Sequence, residues 1–291
     1  MSTDLRREEP PLVVVVGDIA LDYTIEVSES DSLDEKFKVK DSLRALGGTG
    51  ANSASQVVAL GGRSELVSCV GDDPTGVWLL QNAQSAGIGV TSIAKRGGQS
   101  TTSTIVLSET GRKVFVDIGV GAEISIPNLD LIESAQLIYV SYAHHLVHDL
   151  VNMGFGPRLV VGLEQWMVSD ELLEACQHCL LVVTNEAGAD TLDLSSQPAL
   201  VLTRGAIGVE LKKFGEVAVF TPAFAVEAVD TTGAGDSFAG ALCFSLASGE
   251  TIEKALRFSA AAAALSTLSR GSQSGLPSLE DVNALLVSQG K

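Results

Sequence analysis

A short stretch at Asp230 to Asp236, DTTGAGD, places an acid and three small residues at the start of a predicted apolar helix, Ala234 to Ser248. Small residues let backbone N–H groups approach a ligand closely. A helix N-terminus carries unpaired N–H donors and about half a positive charge, so it stabilises anions such as phosphate. Asp236 lies in the first turn, where a carboxylate can accept a proton from an alcohol beside that anion.

This pattern indicates transfer of a phosphoryl group to a hydroxyl, with Asp236 as the base. The predicted anion hole consists of Gly233, Ala234 and Gly235. The structural alternative is a glycine-rich turn that only caps a buried helix, with Asp236 complementing the helix dipole.

The pattern of strands and helices predicted around this stretch indicates an α/β fold. Helix-compatible stretches separate most of the apolar runs, and this alternation is typical of βαβ units around a mostly parallel sheet. We therefore expect a doubly wound sheet flanked by helices, with the site at the carboxyl ends of the strands. The predicted strands are Leu12–Val16, Glu65–Val70, Gln136–Val140, Leu159–Val161, Leu180–Thr184 and Ala199–Thr203. The predicted helices include Ala51–Leu60, Thr75–Ala86, Ser169–Cys176, Thr251–Leu268 and one opened by Ser278.

Two regions predict strands without helical partners. They contain the runs Asp22–Val27, Lys36–Lys40, Thr101–Leu107 and Arg112–Ile118, the last two around a turn at Glu109 to Gly111. We expect one domain, residues 1–291, with a small β-sheet lid formed by insertions at about 22–46 and 98–124. The lid is also a candidate homodimer interface.

Composition narrows the class of partner. A formal charge of −17 argues against nucleic acid, which is bound through Lys and Arg. The apolar run Leu12 to Val16 is far shorter than the roughly 20 residues that span a bilayer. The N-terminal residues lack a signal-peptide pattern, and four cysteines in 291 residues do not indicate a disulfide framework. We therefore expect a cytoplasmic protein with a small-molecule substrate.

The string DTTGAGD resembles the signature of the ribokinase (PfkB) family of carbohydrate kinases. Three further blocks are similar to the family's motifs in order and spacing: Gly17 to Asp22, Gly47 to Asn52, and Gly71 to Gly76. The resemblance covers essentially the whole chain. It implies a ribokinase-like fold that uses ATP and Mg²⁺ to phosphorylate a sugar or sugar-like substrate.

The resemblance also implies roles for individual residues. The substrate-binding residues would be Asp22, Gly48 and Asn52, and the nucleotide-binding residues would be Asn185, Thr203, Gly205 and Gly208. A carboxylate and an amide suit sugar hydroxyls because together they accept and donate hydrogen bonds. Asp230 and Thr232 would help to hold a monovalent cation, for which K⁺ is the candidate, with backbone carbonyls from Ser266 to Gly275.

The chain departs from the family's pattern at the magnesium site. The family commonly has Asn, two residues and then Glu, whereas this chain has Asn185 and then Gly188 at the Glu position. Glu186 or water molecules are the candidates to complete the magnesium shell. Ribokinase itself also has a polar side chain where Ala20 lies and a Lys where Thr49 lies, so we do not favour ribose as the candidate substrate.

Three alternatives stay open. A nucleoside kinase uses the same scaffold, and a non-catalytic nucleotide or sugar sensor would be compatible with Gly188. A zinc site could form if the spacing of two cysteines and two histidines brought them together. The zinc candidates are Cys176, Cys179, His144 and His148. Cys179 abuts a predicted strand, which favours a small buried hydrophobe instead.

Overall fold

The computed structural model describes residues 9–27, 38–109, 111–163, 168–191, 199–213 and 215–289. Within these residues thirteen strands and nine α-helices form one large sheet, one small sheet and the helical layers on both faces of the large sheet. The strands are β1 Leu12–Val16, β2 Ala20–Val27, β3 Val39–Gly47, β4 Arg63–Gly71, β5 Ile93–Arg96, β6 Thr102–Ser108, β7 Gly111–Asp117, β8 Leu137–Val140, β9 Leu159–Gly162, β10 Leu181–Asn185, β11 Ala199–Thr203, β12 Gly208–Lys213 and β13 Val219–Pro222. The helices are α1 Thr49–Ala59, α2 Pro74–Ser85, α3 Leu129–Ser134, α4 Val147–Asn152, α5 Asp170–Cys176, α6 Glu186–Thr191, α7 Ala234–Ala247, α8 Ile252–Ser266 and α9 Leu279–Ser288.

The large sheet has the order β13-β12-β11-β10-β9-β8-β1-β4-β5. Its pairs are parallel from β5 to β11, and β12 and β13 continue the sheet as antiparallel strands. The predicted mostly parallel α/β sheet is therefore confirmed. The antiparallel edge was not predicted, because β12 and β13 are short and partly exposed and lack a continuous apolar run.

Strand β1 shows why the sheet is covered on both faces. All five of its residues are buried, and successive side chains point to opposite faces. Val13 and Val15 pack into a core with α1, α2, α7, α8 and α9. Val14 and Val16 pack into a second core with α3, α4 and α5. The predicted strand Leu12–Val16 is thus a central strand with no solvent face.

The small sheet has the order β3-β2-β6-β7 and contains the strands expected for the lid. Strand β2 pairs antiparallel with β3 and parallel with β6, and β6 and β7 form the predicted hairpin. The expected run Lys36–Lys40 is described only from Lys38 onwards, and the described strand starts at Val39 and continues to Gly47. Asp22 lies on β2 opposite Ala45 of β3 and Ser103 of β6, which share its face of the sheet.

Three of the four candidate zinc ligands are buried side chains. Cys176 and Cys179 are buried in the second core, and His144 is buried with its Nε2 2.6 Å from the Gly162 carbonyl oxygen. His148 is exposed on α4. In the described ranges no group of three or more His, Cys, Asp or Glu residues is arranged to hold a metal ion, so the zinc hypothesis gains no support.

None of the helices in these described residues has the length and apolar character needed to cross a bilayer.

Helices α1 and α7 approach each other closely, and Gly240 makes that approach possible. A Cβ at Gly240 would overlap the Ser53 carbonyl oxygen and would lie 2.8 Å from the Gln56 Cβ. Neither neighbour is the flexible end of a side chain. We expect Gly240→Ala to force the helices apart and to lower the free energy of unfolding by about 1–3 kcal/mol, the typical cost of overpacking a core.

Urea unfolding measures this effect as a lower midpoint at unchanged slope. Gly97→Ala is the matched control, because nothing lies within 4 Å of a Cβ built at Gly97. An unchanged midpoint for Gly240→Ala would show that α1 and α7 are not packed this closely.

Candidate active site

The N-terminus of α7 has the geometry expected of an anion-binding turn. Gly233 is the N-cap residue with a φ of 77°, and a Cβ there would lie 2.7 Å from the Ser272 Cβ. Ala234 then begins the helix. At Gly235 a Cβ would meet nothing within 4 Å, so packing does not explain this glycine. The open space in front of Gly235 leaves room for a ligand to approach the backbone N–H groups.

Asp236 follows in the first turn of α7, half-buried and in contact with α1. Asn52 Nδ2 donates to Asp236 Oδ2 at 2.8 Å, across 184 residues of sequence. Asn52 Oδ1 in turn accepts from Gln273 Nε2 at 2.8 Å. Asn52 is 5% exposed. The predicted base and a predicted substrate-binding residue are therefore in direct contact, and Gln273 joins them, although no sequence motif had singled it out.

The start of α1 is held by an aspartate that the sequence analysis did not select. Asp18 Oδ1 accepts from the Thr49 hydroxyl at 2.7 Å and from the Gly50 N–H at 3.0 Å. Gly48, the predicted substrate-binding glycine, precedes the helix with a φ of 93°, and a Cβ there would lie 2.9 Å from the Asp18 carbonyl oxygen. Asp18 thus caps the helix that carries Asn52.

Asp22 points from the small sheet toward this helix start. A Cβ at Gly47 would overlap the Asp22 carboxyl group, which explains the first glycine of the GGTGAN block. Burial raises the pKa of Asp22 to about 6; the hydrogen bond from Ser103 opposes this shift and the charge of Asp18 adds to it. A carboxylate held partly away from water, beside a second acid, gains from hydroxyl donors that replace the lost water.

Two cavities meet at the carboxyl ends of the central strands. The larger, about 430 Å³, is lined by the predicted nucleotide residues Thr203, Gly205 and Gly208 and by apolar side chains of the segment after β13 and of α8. The smaller, about 100 Å³, is lined by Asn185 and Asp236. Thr203 and Gly235 line both cavities. The two cavities therefore adjoin at the α7 N-terminus, with the apolar chamber on one side and Asp236 on the other.

Gly188, which lies where the family commonly has Glu, is closely packed in this structure. Asn185 Oδ1 accepts from the Gly188 N–H at 2.9 Å, and a Cβ at Gly188 would overlap the Thr184 hydroxyl oxygen. Glu186, the other candidate, has its Oε1 3.3 Å from Arg204 Nη1. The smaller cavity is lined by Asn185 and Asp236 and not by Glu186.

The proposed cation loop is organised around Asp230. Its two carboxylate oxygens accept from the backbone N–H groups of Thr232, at 2.9 Å, and Gly271, at 2.8 Å. Burial alone would raise the pKa of Asp230, but these hydrogen bonds and nearby Arg112 together hold it below its ordinary value. Asp230 therefore carries a negative charge at neutral pH beside the 266–275 segment.

A lid residue that the sequence analysis missed reaches the same loop. Arg112 of β7 donates from Nη1 to the Thr232 hydroxyl oxygen at 2.9 Å, 120 residues away in sequence. An arginine near the start of an exposed hairpin strand gives no sequence signal for such a contact. Its guanidinium brings a permanent positive charge from the small sheet to the stretch DTTGAGD.

Comparisons with known proteins agree with this arrangement. The model of the pfkB family carbohydrate kinases matches residues 10–152 and 167–279. The chain is 30% identical over 290 residues to ribokinase from Bacillus subtilis (strain 168), covering 94% of this chain and 99% of that protein. Among solved structures, Arabidopsis thaliana ribokinase complexed with ribose and ATP superposes with a TM-score of 0.83 at 22% identity, covering 96% of this chain and 99% of that one.

A second solved structure extends the likeness of fold to a different substrate class. Burkholderia thailandensis nucleoside kinase in complex with inosine superposes with a TM-score of 0.82 at 18% identity, covering 96% of this chain and 98% of that one. Both superpositions confirm the predicted ribokinase-like fold. The family match spans most of the chain and includes the anion-binding turn, Asp236 and Asn52, so this protein belongs to the pfkB family of carbohydrate kinases.

Proposed function

We propose that this ATP-dependent carbohydrate kinase phosphorylates a hydroxyl of a sugar or sugar-like molecule bound between the small sheet and α1, with Asp236 as the base. The observation that carries this assignment is the 2.8 Å contact between Asn52 and Asp236. It places a group able to bind an acceptor hydroxyl beside a carboxylate at the N-terminus of α7. Asp22, on the small sheet, would bind further hydroxyls of the same molecule.

The donor ATP would occupy the two joined cavities. Its base and ribose suit the apolar chamber lined by Thr203, Gly205 and Gly208, and its phosphates would cross Gly235 into the smaller cavity. Asn185 would contact the phosphates and their magnesium, whose shell would be completed by water. Magnesium bound there supplies positive charge that offsets the charge on the phosphate oxygens.

In the transfer the chain's own groups would accept the proton, stabilise charge and align the acceptor hydroxyl. A bond forms between the acceptor oxygen and the γ-phosphorus while the bond from that phosphorus to the bridging oxygen breaks, and ADP leaves. The acceptor proton passes to Asp236. Because this transition state is largely dissociative, positioning and charge stabilisation contribute more than proton abstraction. The α7 N-terminus and Arg112 supply positive charge, and Asn52 and Asp236 align the hydroxyl.

A monovalent cation would add to the positive field at the transferring phosphoryl group. Asp230 suits this role because its carboxylate is ionised and is anchored on both sides by backbone N–H groups. The 266–275 segment would supply carbonyl oxygens, with Thr232 beside it.

We expect activity to rise severalfold when potassium replaces a bulky organic cation at constant ionic strength. Initial rates at saturating ATP and acceptor measure the effect. Asp230→Asn, which keeps the side-chain size and removes the charge, should abolish the potassium response. A flat response in the unaltered enzyme would remove the cation site from the mechanism.

The acceptor can be identified by assaying the protein with ATP, magnesium and a panel of sugars and nucleosides. We expect turnover on a sugar, and weaker turnover on ribose because Ala20 and Thr49 replace the polar side chain and the Lys of ribokinase itself. Preferential turnover of nucleosides would establish the nucleoside-kinase alternative. Absence of turnover on every compound, with binding retained, would favour the non-catalytic sensor.

The small sheet would act both as a lid and as the homodimer interface. Leu43 of β3 and Val114 and Val116 of β7 are about half exposed, although valine and leucine are usually buried. Their position on the face shared with Asp22 supports contact with either a bound sugar or the lid of a second copy. We further propose that the lid belongs to the same domain as the large sheet.

A further inference from the structure

Helix α1 carries two amide side chains one turn apart, Asn52 and Gln56, and both bridge α7 to the loop that follows α8. Gln56 is fully buried. Its Oε1 accepts from the Ser237 hydroxyl at 2.8 Å, and its Nε2 donates to the Pro277 carbonyl oxygen at 3.1 Å. This bridge lies inside the core and fixes the three segments relative to each other.

The second bridge, through Asn52, lies at the site. The orientation of its amide follows from the chemistry of its partners. An ionised Asp236 can only accept hydrogen bonds, so the Asn52 atom that faces it at 2.8 Å must be the NH₂ group. The Asn52 oxygen then faces Gln273, which must present its own NH₂ group at 2.8 Å. Each amide is thereby held in a single orientation.

We propose that Gln273 is a positioning residue for catalysis: by donating to Asn52 Oδ1 it keeps the Asn52 NH₂ group against Asp236. The proposal rests on the proposed roles of Asp236 as base and of Asn52 as a substrate-binding residue. Loss of this donor would leave the buried Asn52 oxygen unsatisfied and the amide less firmly held. An acceptor at position 273 would repel the Asn52 oxygen, and a flip of the amide to avoid that repulsion would turn the oxygen toward the Asp236 carboxylate. Either change would displace the carboxylate that aligns the acceptor hydroxyl.

The bridge also connects two parts of the site that are distant in sequence. Gln273 belongs to the segment proposed to hold the monovalent cation, and it follows Ser272, which packs against Gly233 of the anion-binding turn. The same loop therefore contacts the anion hole through Ser272 and the base through Gln273 and Asn52. A shift of this loop would alter both groups together.

Two substitutions of Gln273 distinguish the effect of its hydrogen bond to Asn52 from the effect of its side-chain packing. Gln273→Glu has nearly the same shape but places an acceptor against Asn52 Oδ1, and we expect kcat to fall about 30-fold, in the range for an unsatisfied, buried polar group. Gln273→Met removes the donor without adding an acceptor, and kcat should fall about 5-fold. The KM for ATP should stay within about 2-fold in both variants, since neither touches the nucleotide cavity. Gln81→Glu, at an exposed position on α2, controls for the added charge.

A double-mutant cycle shows whether Gln273 acts through Asn52. In an Asn52→Ala background Gln273→Glu should lower kcat no further, because the Asn52 amide whose orientation it would disturb is absent. An equal loss in both backgrounds, or wild-type kcat in both Gln273 variants, would overturn the proposal. If Gln273→Glu proves too unstable to assay, the same cycle with Gln273→Met decides.

Failure of the underlying mechanism is detected separately. Near-full turnover by Asp236→Asn would remove the base, and with it the reason for positioning it, whatever the Gln273 variants show. A strong loss in Asp236→Asn together with unaffected Gln273 variants would instead leave the base in place and refute only the role of Gln273.

Discussion

Replacing Asp236 by Asn is expected to lower kcat by on the order of 10² to 10⁴, the usual contribution of a positioned acid or base. Asparagine keeps the size of the side chain, and its Oδ1 can still accept from Asn52 Nδ2, so the 2.8 Å contact can survive the change. The substitution therefore removes the proton acceptor with little disturbance of α1 and α7. The KM for ATP should change little because the base and ribose bind in the larger cavity.

Glu171→Gln is a matched control, since it makes the same chemical change at an exposed position on α5. Steady-state kinetics with the acceptor identified in the panel, together with urea unfolding, would separate loss of chemistry from loss of fold. Near-full turnover by a folded Asp236→Asn variant would contradict the assignment of the base and the mechanism built on it.

Replacing Asp22 by Asn should raise the KM for the acceptor by roughly 10 to 100-fold, as expected for weakened hydrogen bonds to a charged group. Asparagine fits the space beside Gly47 because it has the shape of aspartate. The kcat value should stay within a few-fold, since Asp22 lies on the small sheet and the anion-binding turn is intact. A fall in kcat with unchanged KM would show that Asp22 acts in the chemical step and not in substrate binding.

The raised pKa of Asp22 predicts a pH dependence with a definite sign. Because burial raises this pKa to about 6, the carboxyl is protonated below pH 6 and ionised above it. The ionised form accepts more hydrogen bonds from hydroxyls. The kcat/KM for the acceptor, which reports groups of the free enzyme, should therefore fall as the pH drops through about 6. Asp22→Asn should lack this inflection, and an identical inflection in the variant would assign it to another group.

Much of the fold could be predicted from local patterns. Strands β1 and β11 begin and end at the predicted residues, because buried parallel strands require continuous apolar runs. Helix ends also followed local signals: Ser278 caps α9 through a reciprocal pair of hydrogen bonds with Asp281. The edge strand β5 was missed because its sequence, IAKR, has no continuous apolar run. The helices α3, α4 and α6 were missed because six residues make fewer than two helical turns and show too little periodicity to be distinguished from loops.

The stretch proposed to be catalytic was equally visible in the sequence. DTTGAGD is continuous, and its chemistry depends on one helix N-terminus that its own residues form. The left-handed conformation of Gly233 could also be expected from the sequence, because glycine adopts it without steric cost. The residues that complete the site follow no such rule. Asp18, Arg112 and Gln273 lie in segments whose local patterns indicate only a strand end, a hairpin and a polar loop.

Local sequence therefore predicted the strands, the main helices, the glycine turn at the start of α7 and Asp236 as the candidate base. Tertiary structure alone decided which side chains meet that base. Asn52 and Asp236 are separated by 184 residues, Asn52 and Gln273 by 221, and Arg112 and Thr232 by 120. Backbone propensities act over a few residues, whereas these contacts depend on how α1, α7, the small sheet and the 266–275 segment pack. That packing is set by the shape of two cores and by close approaches such as the one at Gly240, which no local pattern encodes.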